Sequence, residues 1–319
     1  MSEQPANYSA NAVAPSPIEL TIPDDCAGSR LDQALARLLP DFSRNRLARW
    51  IRRHQVTLDG QPAVPRRKVW GGEKIRVVPA PEPHEIAFRP QDIPLDIVFE
   101  DEALLVVNKP AGLVVHPGSG NWQGTMLNAL LKHAPQLAHL PRAGIVHRLD
   151  KDTSGLLVVA KTLSAHADLV RQLQARSVTR EYLAVVHGRV ARDGKVDAPV
   201  GRHPVNRKRM AVVARGKPAI THYQVVERFA QATLLRCRLE TGRTHQIRVH
   251  LSSIGHPLIG DPVYGGKKAG ARLGTVPFSR QALHAEKLAL VHPSTRRTRI
   301  WHAGLPRDMR ELIAALSAS

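Results

Sequence analysis

Three short segments set acidic, basic and aromatic side chains between apolar runs. The first, GIVHRLDKDTSG at Gly144 to Gly155, carries His147, Arg148, Asp150 and Asp152 into an apolar stretch. The second, Thr179-Arg180-Glu181-Tyr182, opens another such stretch, and the third, ETGRTHQIRVH at Glu240 to His250, carries Arg243, His245, Arg248 and His250. Loops feeding rigid strands are where reactive groups are usually mounted. A carboxylate shielded from water can attack an electrophilic carbon or stabilise a nearby cation, a guanidinium beside it keeps it charged, and a phenol can pass a proton. Each residue also has a plainer use: Asp150 suits capping a turn before Thr153, Arg248 a surface charge, and Tyr182 the core of a strand. If the first segment is extended, Arg148 and Asp150 share a face; a salt bridge from Arg148 to Asp152 is the competing arrangement.

Chemistry that needs a metal or a nucleotide lacks its usual signature. His245, His250 and His256 show no HExxH spacing and have no cysteine beside them, so zinc is not expected. His147 and His245 are expected instead to hydrogen-bond and fix the loops that present Asp150 and Arg248. No P-loop or Rossmann glycine fingerprint is present. A nuclease built on Asp150 and Asp152 would depend on a divalent ion.

The elements that must position these residues belong to a chain of 319 residues with 43% hydrophobic content, about two domains by length. Its 46 Lys and Arg against 27 Asp and Glu leave a net charge of +19, which favours a polyanionic partner, nucleic acid or an anionic membrane surface. No apolar run approaches the roughly 18 residues of a membrane span, and the start MSEQPANYSA has neither the basic nor the apolar region of a secretory signal. Cys26 and Cys237 could form at most one bridge, so a reduced, cytoplasmic setting is expected.

Residues 1–17, rich in Ser, Ala, Pro and Asn, read as a disordered leader. Leu31, Ala34, Leu35 and Leu38 have helical spacing closed by Pro40, and Ser43 can cap a second helix over Arg44 to Arg53. On that helix Leu47, Trp50 and Ile51 mark one face, while Arg46, Arg49, Arg52 and Arg53 form a guanidinium stripe on the other. Val56 to Leu58, the Asp59-Gly60 turn and a strand at Lys74 to Val78 complete a first domain over 18–78. A Pro-punctuated linker over 79–92 leads to a second domain over 93–319. There, strands are expected at Leu95 to Phe99, Leu104 to Asn108, Gly155 to Ala160, Glu181 to His187, Thr221 to Arg228, Ala232 to Leu239 and Leu288 to His292. Helices are expected at Thr125 to His133, Ser164 to Gln174, Gln246 to Ile254 and Asp308 to Leu316. Strands in runs rather than in βαβ alternation predict an α+β fold with a mainly antiparallel or mixed sheet. Arg202, Arg207, Lys208 and Arg209, with Lys217 nearby, form one basic loop, and Lys267, Lys268 and Arg272 another; both suit phosphate contacts, or solubility alone.

Two resemblances sharpen this reading. Two helices followed by a small hairpin, with arginines on the second helix, resemble the S4-type RNA-binding module. NKPAGLVVHPG at Asn108 to Gly118, HRLDKDTSG at His147 to Gly155, REYLAVV at Arg180 to Val186, LETGRTHQIRVH at Leu239 to His250 and GHPLIGDPVYGG at Gly255 to Gly266 are together similar to the RluA-type family of RNA pseudouridine synthases. The resemblance implies an isomerase, an intramolecular transferase that breaks the N1–C1′ bond of uridine, turns the uracil, joins C5 to C1′ and removes the C5 proton without net redox. It implies Asp150 as the catalytic carboxylate, Arg248 as its partner, and Tyr182 as the aromatic that stacks on the flipped base and helps take the proton, aided by its surroundings because a free phenol has a pKa near 10. Arg148 would fill the gap left by the extruded base. Attack at C6, attack at C1′ and elimination through a glycal all fit these residue types. The implied substrate is 23S ribosomal RNA of the large subunit, at the helix 69 stem-loop, and a reaction without net redox or an external nucleotide demands no cofactor; a cytoplasmic monomer with no obligatory protein partner and no membrane is the default expectation for an enzyme that must approach a large RNA. A non-catalytic ribosome-assembly factor on the same scaffold is the alternative.

Overall fold

The computed structural model describes residues 16–81, 86–118, 120–207, 209–266 and 277–318. The leader up to residue 15, linker residues 82–85, and Lys208, Lys267, Lys268 and Arg272 lie outside the described residues. The chain divides into two compact units, one of residues 9–86 and one built on residues 87–319.

In the first unit, β1 (Ile18–Thr21) is followed by α1 (Leu31–Leu38), α2 (Arg44–Arg52), β2 (Val56–Leu58), β3 (Gln61–Pro62) and β4 (Lys74–Val77). The strands form an antiparallel sheet in the order β1-β4-β2-β3. The 3.6-residue spacing of Leu31, Ala34, Leu35, Leu47, Trp50 and Ile51 puts all six against Val56, Leu58, Ile75 and Val77 in one core. Ser43 starts α2 by accepting the Arg46 N–H at 3.3 Å. Asp59 and Gly60 both take positive φ, +50° and +74°, the two-residue turn that a tight hairpin requires.

In the second unit the chain runs through β5 (Ile97–Glu100), β6 (Leu104–Lys109), α3 (Met126–His133), β7 (Ser154–Ala160), α4 (Leu163–Gln174), β8 (Thr179–His187), β9 (Gly194–Asp197), β10 (Val200–Arg202), β11 (Met210–Val212), β12 (Ile220–Arg228), β13 (Ala232–Leu239), α5 (Gln246–Ser253), β14 (Leu283–Val291), β15 (Thr298–His302) and α6 (Arg307–Ser317). Among the described residues nine of these strands make one sheet, β5-β6-β7-β14-β8-β13-β12-β9, with β15 on β14 and with β7 and β14 as its parallel pair. β10 and β11 form a separate two-stranded arm. The fold is α+β. Every residue of β7 is buried: Leu157 and Val159 face the core that α3 covers, while Leu156, Val158 and Ala160 face the one that α4 covers. A strand buried on both faces reads as an unbroken apolar run, which is why its sequence does not alternate. None of the helices among the described residues is long and apolar enough to cross a membrane.

The structure extends the sequence expectations in three places. β14 begins at Leu283, five residues before the expected start at Leu288, because His284, Glu286 and Lys287 interrupt the apolar pattern. Strands β9, β10, β11 and β15 carry too few buried residues to announce themselves. Residues 87–92, expected in the linker, belong to the second unit, where Asn128 Nδ2 donates to the carbonyls of Ala87 and Arg89 at 2.9 Å each.

The parallel contact of β7 with β14 is close. Gly155 has φ +112°, and a Cβ there would collide with the Ala285 backbone. Gly155→Ala is therefore expected to lower stability by about 3 kcal/mol, the range of combined backbone strain and overpacking, read as a drop in the urea midpoint.

Candidate active site

The last turn of the loop before β7 and the first turn of α5 meet at an open cleft of about 940 Å³. Along the stretch Arg148-Leu149-Asp150 all three residues line the cleft, with Leu149 also packed into the core, Arg148 exposed and Asp150 half-buried. Arg248 Nη1 donates to Asp150 Oδ2 at 3.0 Å. The same guanidinium grips Asp261 in a two-point fork, Nε to Oδ2 at 2.7 Å and Nη2 to Oδ1 at 2.9 Å. Asp261 is fully buried and its Oδ1 also accepts the backbone N–H groups of Val263 and Tyr264. Burial opposes its charge, but Arg248 and those N–H donors outweigh burial and hold its pKa below the usual carboxylate range. Arg248 in turn has its pKa raised: burial lowers it, and Asp261 and Asp150 more than compensate.

A second chain of contacts reaches the other oxygen of Asp150. His245 Nε2 lies 3.8 Å from Asp150 Oδ1, and His245 Nδ1 is 2.8 Å from the Tyr264 hydroxyl. That hydroxyl accepts the N–H of Met210 on the β10–β11 arm at 2.9 Å. The Tyr264 ring also lies 5.0 Å from the Arg248 guanidinium and 5.3 Å from that of Arg209. His245 sits at the start of α5 with φ +57°, a left-handed conformation that histidine adopts more readily than most residues. Desolvation lowers its pKa against the pull of Asp150.

The loop carrying Asp150 is tied down at three points. Fully buried Lys109 donates from Nζ to the carbonyls of Pro110, Leu113 and Lys151 at 2.7, 2.9 and 2.9 Å, which uses all three ammonium protons. Burial pulls its pKa down to about 7 while Asp152 and Asp150 oppose the shift. His147 Nε2 accepts the Val158 N–H at 3.1 Å, and desolvation followed by Arg180 pulls its pKa down to about 3, so the ring is a neutral acceptor. Arg280 Nη1 holds the Asp152 carbonyl while its fork binds Asp308.

The structure thus brings Asp150, Arg248, Tyr182, His147, His245 and Arg148 to one cleft. Arg148 is exposed and forms no ion pair with Asp152. Arg248 is a buried side chain rather than a surface charge. Tyr182 is buried on β8. Burial raises the phenol's pKa, and Arg180, which lowers it, does not overcome that. Arg202, Arg207 and Arg209 lie on the arm, with Arg202 Nη1 on the Arg207 carbonyl at 2.9 Å. In the first unit the stripe divides: Arg53 is exposed and Arg49 half-buried, while Arg46 packs 5.0 Å from the Trp50 ring and donates to the Ala80 carbonyl. His250 and His256 serve local bonds, to Thr221 and Ala198 and to the His187 carbonyl.

Four residues of the site carried no role in the sequence reading. Asp261 and Tyr264 stand in the quoted GDPVYGG run and Lys109 in NKPAG, so the motif was visible and the contact was not. Arg180, in REYL, is buried in the cleft wall with its Nε lacking a hydrogen-bond partner, close against Gly242, where a side chain would meet its Nη1 at 2.8 Å. A buried guanidinium in this state is a ready anion site.

Residues 103–253, which run from just before β6 to the end of α5 and hold Asp150, Tyr182 and Arg248, match the family described as RNA pseudouridylate synthase. The chain belongs to this family. It is 59% identical over 301 residues to the Ribosomal large subunit pseudouridine synthase D of Nitrosomonas europaea, covering 94% of this chain and 88% of that one. It is 53% identical over 306 residues to the protein of the same name from Escherichia coli strain K12, covering 93% and 94%. Among solved structures, Human RNA Pseudouridylate Synthase Domain Containing 1 superposes with a TM-score of 0.54 at 27% identity over 72% of this chain and 97% of that one. Human RNA Pseudouridylate Synthase Domain Containing 4 does so with 0.54 at 28% identity over 69% and 92%.

The Asp261–Arg248 fork makes two expectations. Asp261→Ala leaves a buried guanidinium half-compensated and should cost about 3–5 kcal/mol in chemical denaturation. Because the folded-state pKa of Asp261 lies below its unfolded value near 4, its contribution is complete above that pH and is lost as pH falls through the folded value. The acid limb of stability against pH should therefore be shallower in Asp261→Asn than in the wild type.

Proposed function

We propose that the protein isomerises uridine to pseudouridine in the ribosomal RNA of the large subunit, with Asp150 as the catalytic carboxylate. The observation that carries this reading is the Asp150–Arg248 pair at the floor of a cleft walled by Tyr182. The family membership supports the reaction, and the names of the relatives at 53–59% identity support the substrate. Within 23S RNA we place the target in the helix 69 stem-loop.

The chemistry follows from what each group can do. Arg248 takes one oxygen of Asp150, leaving the other toward the cleft for C6 or C1′ of the bound nucleotide, or for stabilising charge on the ribose. The N1–C1′ bond breaks, the uracil turns, C5 joins C1′, and the C5 proton passes to water in the open cleft while the freed N1 takes a proton up, so that product and substrate are isomers. A stacked uridine must first be extruded at a cost of a few kcal/mol, and exposed Arg148 two residues from Asp150 is suited to fill the gap. Tyr182, kept neutral by burial, acts here as a stacking face and hydrogen-bonding phenol rather than as a pre-ionised base. Arg180 binds the phosphate beside the target, and Arg202, Arg207, Lys208 and Arg209 grip the backbone further out. Residues 18–78 are an S4-like RNA-binding domain with Arg46, Arg49 and Arg53 on its second helix. The enzyme works as a cytoplasmic monomer without a cofactor.

Site-resolved pseudouridine mapping of ribosomal RNA from cells lacking the protein, rescued by wild type or by Asp150→Ala, tests the reading. Loss of helix 69 signals that only the wild type restores is the expected result; restoration by both would remove Asp150 from the chemistry and bring a binding role forward. In steady-state kinetics Arg180→Ala should raise KM about tenfold, the size of one charge-assisted contact, with a smaller change in kcat.

A further inference from the structure

One exposed aromatic of the first unit, Trp70, lies between β3 and β4, outside α2 and its arginine stripe. Trp70 is 66% exposed, unlike Trp50 and Trp301, which are buried at 2% and 9%. Single exposed apolar side chains are ordinary, but Trp70 follows exposed Arg66, Arg67 and Lys68 on a loop held by backbone hydrogen bonds. Five backbone hydrogen bonds organise this loop. Gly28 and Leu31 donate to the carbonyls of Val69 and Arg67 at 2.8 Å, Asp32 to Pro65 at 3.1 Å, Val69 to Ser29 at 3.1 Å, and Arg67 to Val64 at 3.0 Å.

The loop is also anchored from within. Val69 is fully buried, so Lys68 and Trp70 on either side of it point outward together. The Glu73 carboxylate accepts the N–H groups of Trp70 and Gly71 at 2.7 and 2.8 Å, so the nearest acid in sequence serves the backbone rather than the three cations. Gly71, at φ +103°, lies close against Asp24, where a side chain would not fit. The result is an indole carried on a hydrogen-bonded backbone, open to solvent and preceded by three cations.

We propose that Trp70 is a stacking platform for an unpaired base of RNA, with Arg66, Arg67 and Lys68 holding the phosphates on either side. Every base offers a face to an indole, and a rigid aromatic beside cations is how proteins bind unstacked nucleotides without reading a paired groove. A fully paired helix has no free base to offer it. The proposal deepens the reading of the first unit as an RNA-binding domain and rests on that reading.

The test uses the full chain with Trp122→Phe, which removes the other partly exposed indole and leaves Trp70 as the solvent-facing emitter. An RNA stem-loop with an unpaired loop should quench its fluorescence, and a blunt duplex of the same length should not. Trp70→Ala should bind the stem-loop about tenfold more weakly, within the range for losing one stacked base, and Trp70→Phe should recover most of the loss. Replacing Arg66, Arg67 and Lys68 together by Gln should flatten the slope of log affinity against log salt by about 2. Unquenched emission, unchanged affinity in Trp70→Ala, or quenching by an acidic peptide or anionic vesicles but not by RNA would overturn the platform. These readouts are of binding alone. Pseudouridine formation is assayed separately on the same samples, so failure of the isomerase reading and failure of the platform give different patterns.

Discussion

The site depends on one guanidinium held between two carboxylates. Asp261 takes two of the donors of Arg248 in the core, and Asp150 takes a third at the cleft. Burying a lone arginine here would be costly; with Asp261 fully buried behind it, the charge is compensated before Asp150 is engaged. The arrangement separates two tasks that a single ion pair would mix. The inner pair fixes the position of Arg248, and the outer contact fixes that of Asp150, so the carboxylate proposed for catalysis is oriented by a group that is itself immobile.

The sheet supplies the distances. Asp150 precedes β7 and Arg248 lies on the first turn of α5 after β13, and in the sheet order β14 and β8 separate those two strands. Tyr182 comes from β8, between them. β14 can sit against β7 only because Gly155 has no side chain, and His284 of β14 pairs with Ser154 there. The base of the Asp150 loop is thus set by a backbone-to-backbone approach, which varies less than side-chain packing would.

Much of this was legible in the residue order, and the parts that were not share a cause. β7, β8, α1 and α4 follow from apolar runs or helical spacing that burial then accounts for. Asp150, Tyr182 and Arg248 were singled out because their motifs matched a family, whereas residue type alone left plainer uses open for each. Asp261 escaped because its partner is reached through α5 and a turn, so no local spacing records the pair. Lys109 follows the expected strand Leu104 to Asn108 with no local mark of its role, and only the three-dimensional path of the chain brings carbonyls from 110, 113 and 151 around its ammonium. The surroundings of Tyr182 are hidden for a related reason: which neighbours dominate a pKa depends on burial, and a strand sequence does not say how deep its tyrosine lies.

The Lys109 fastener has a consequence for how the chain can vary. All its acceptors are main-chain oxygens, which every amino acid possesses. Side chains at 110, 113 and 151 can therefore drift without loosening the knot, provided the backbone path persists, while position 109 has no substitute that brings three protons to the same point. Sequence tolerance around this loop is distributed unequally, with one position carrying the constraint for a whole neighbourhood.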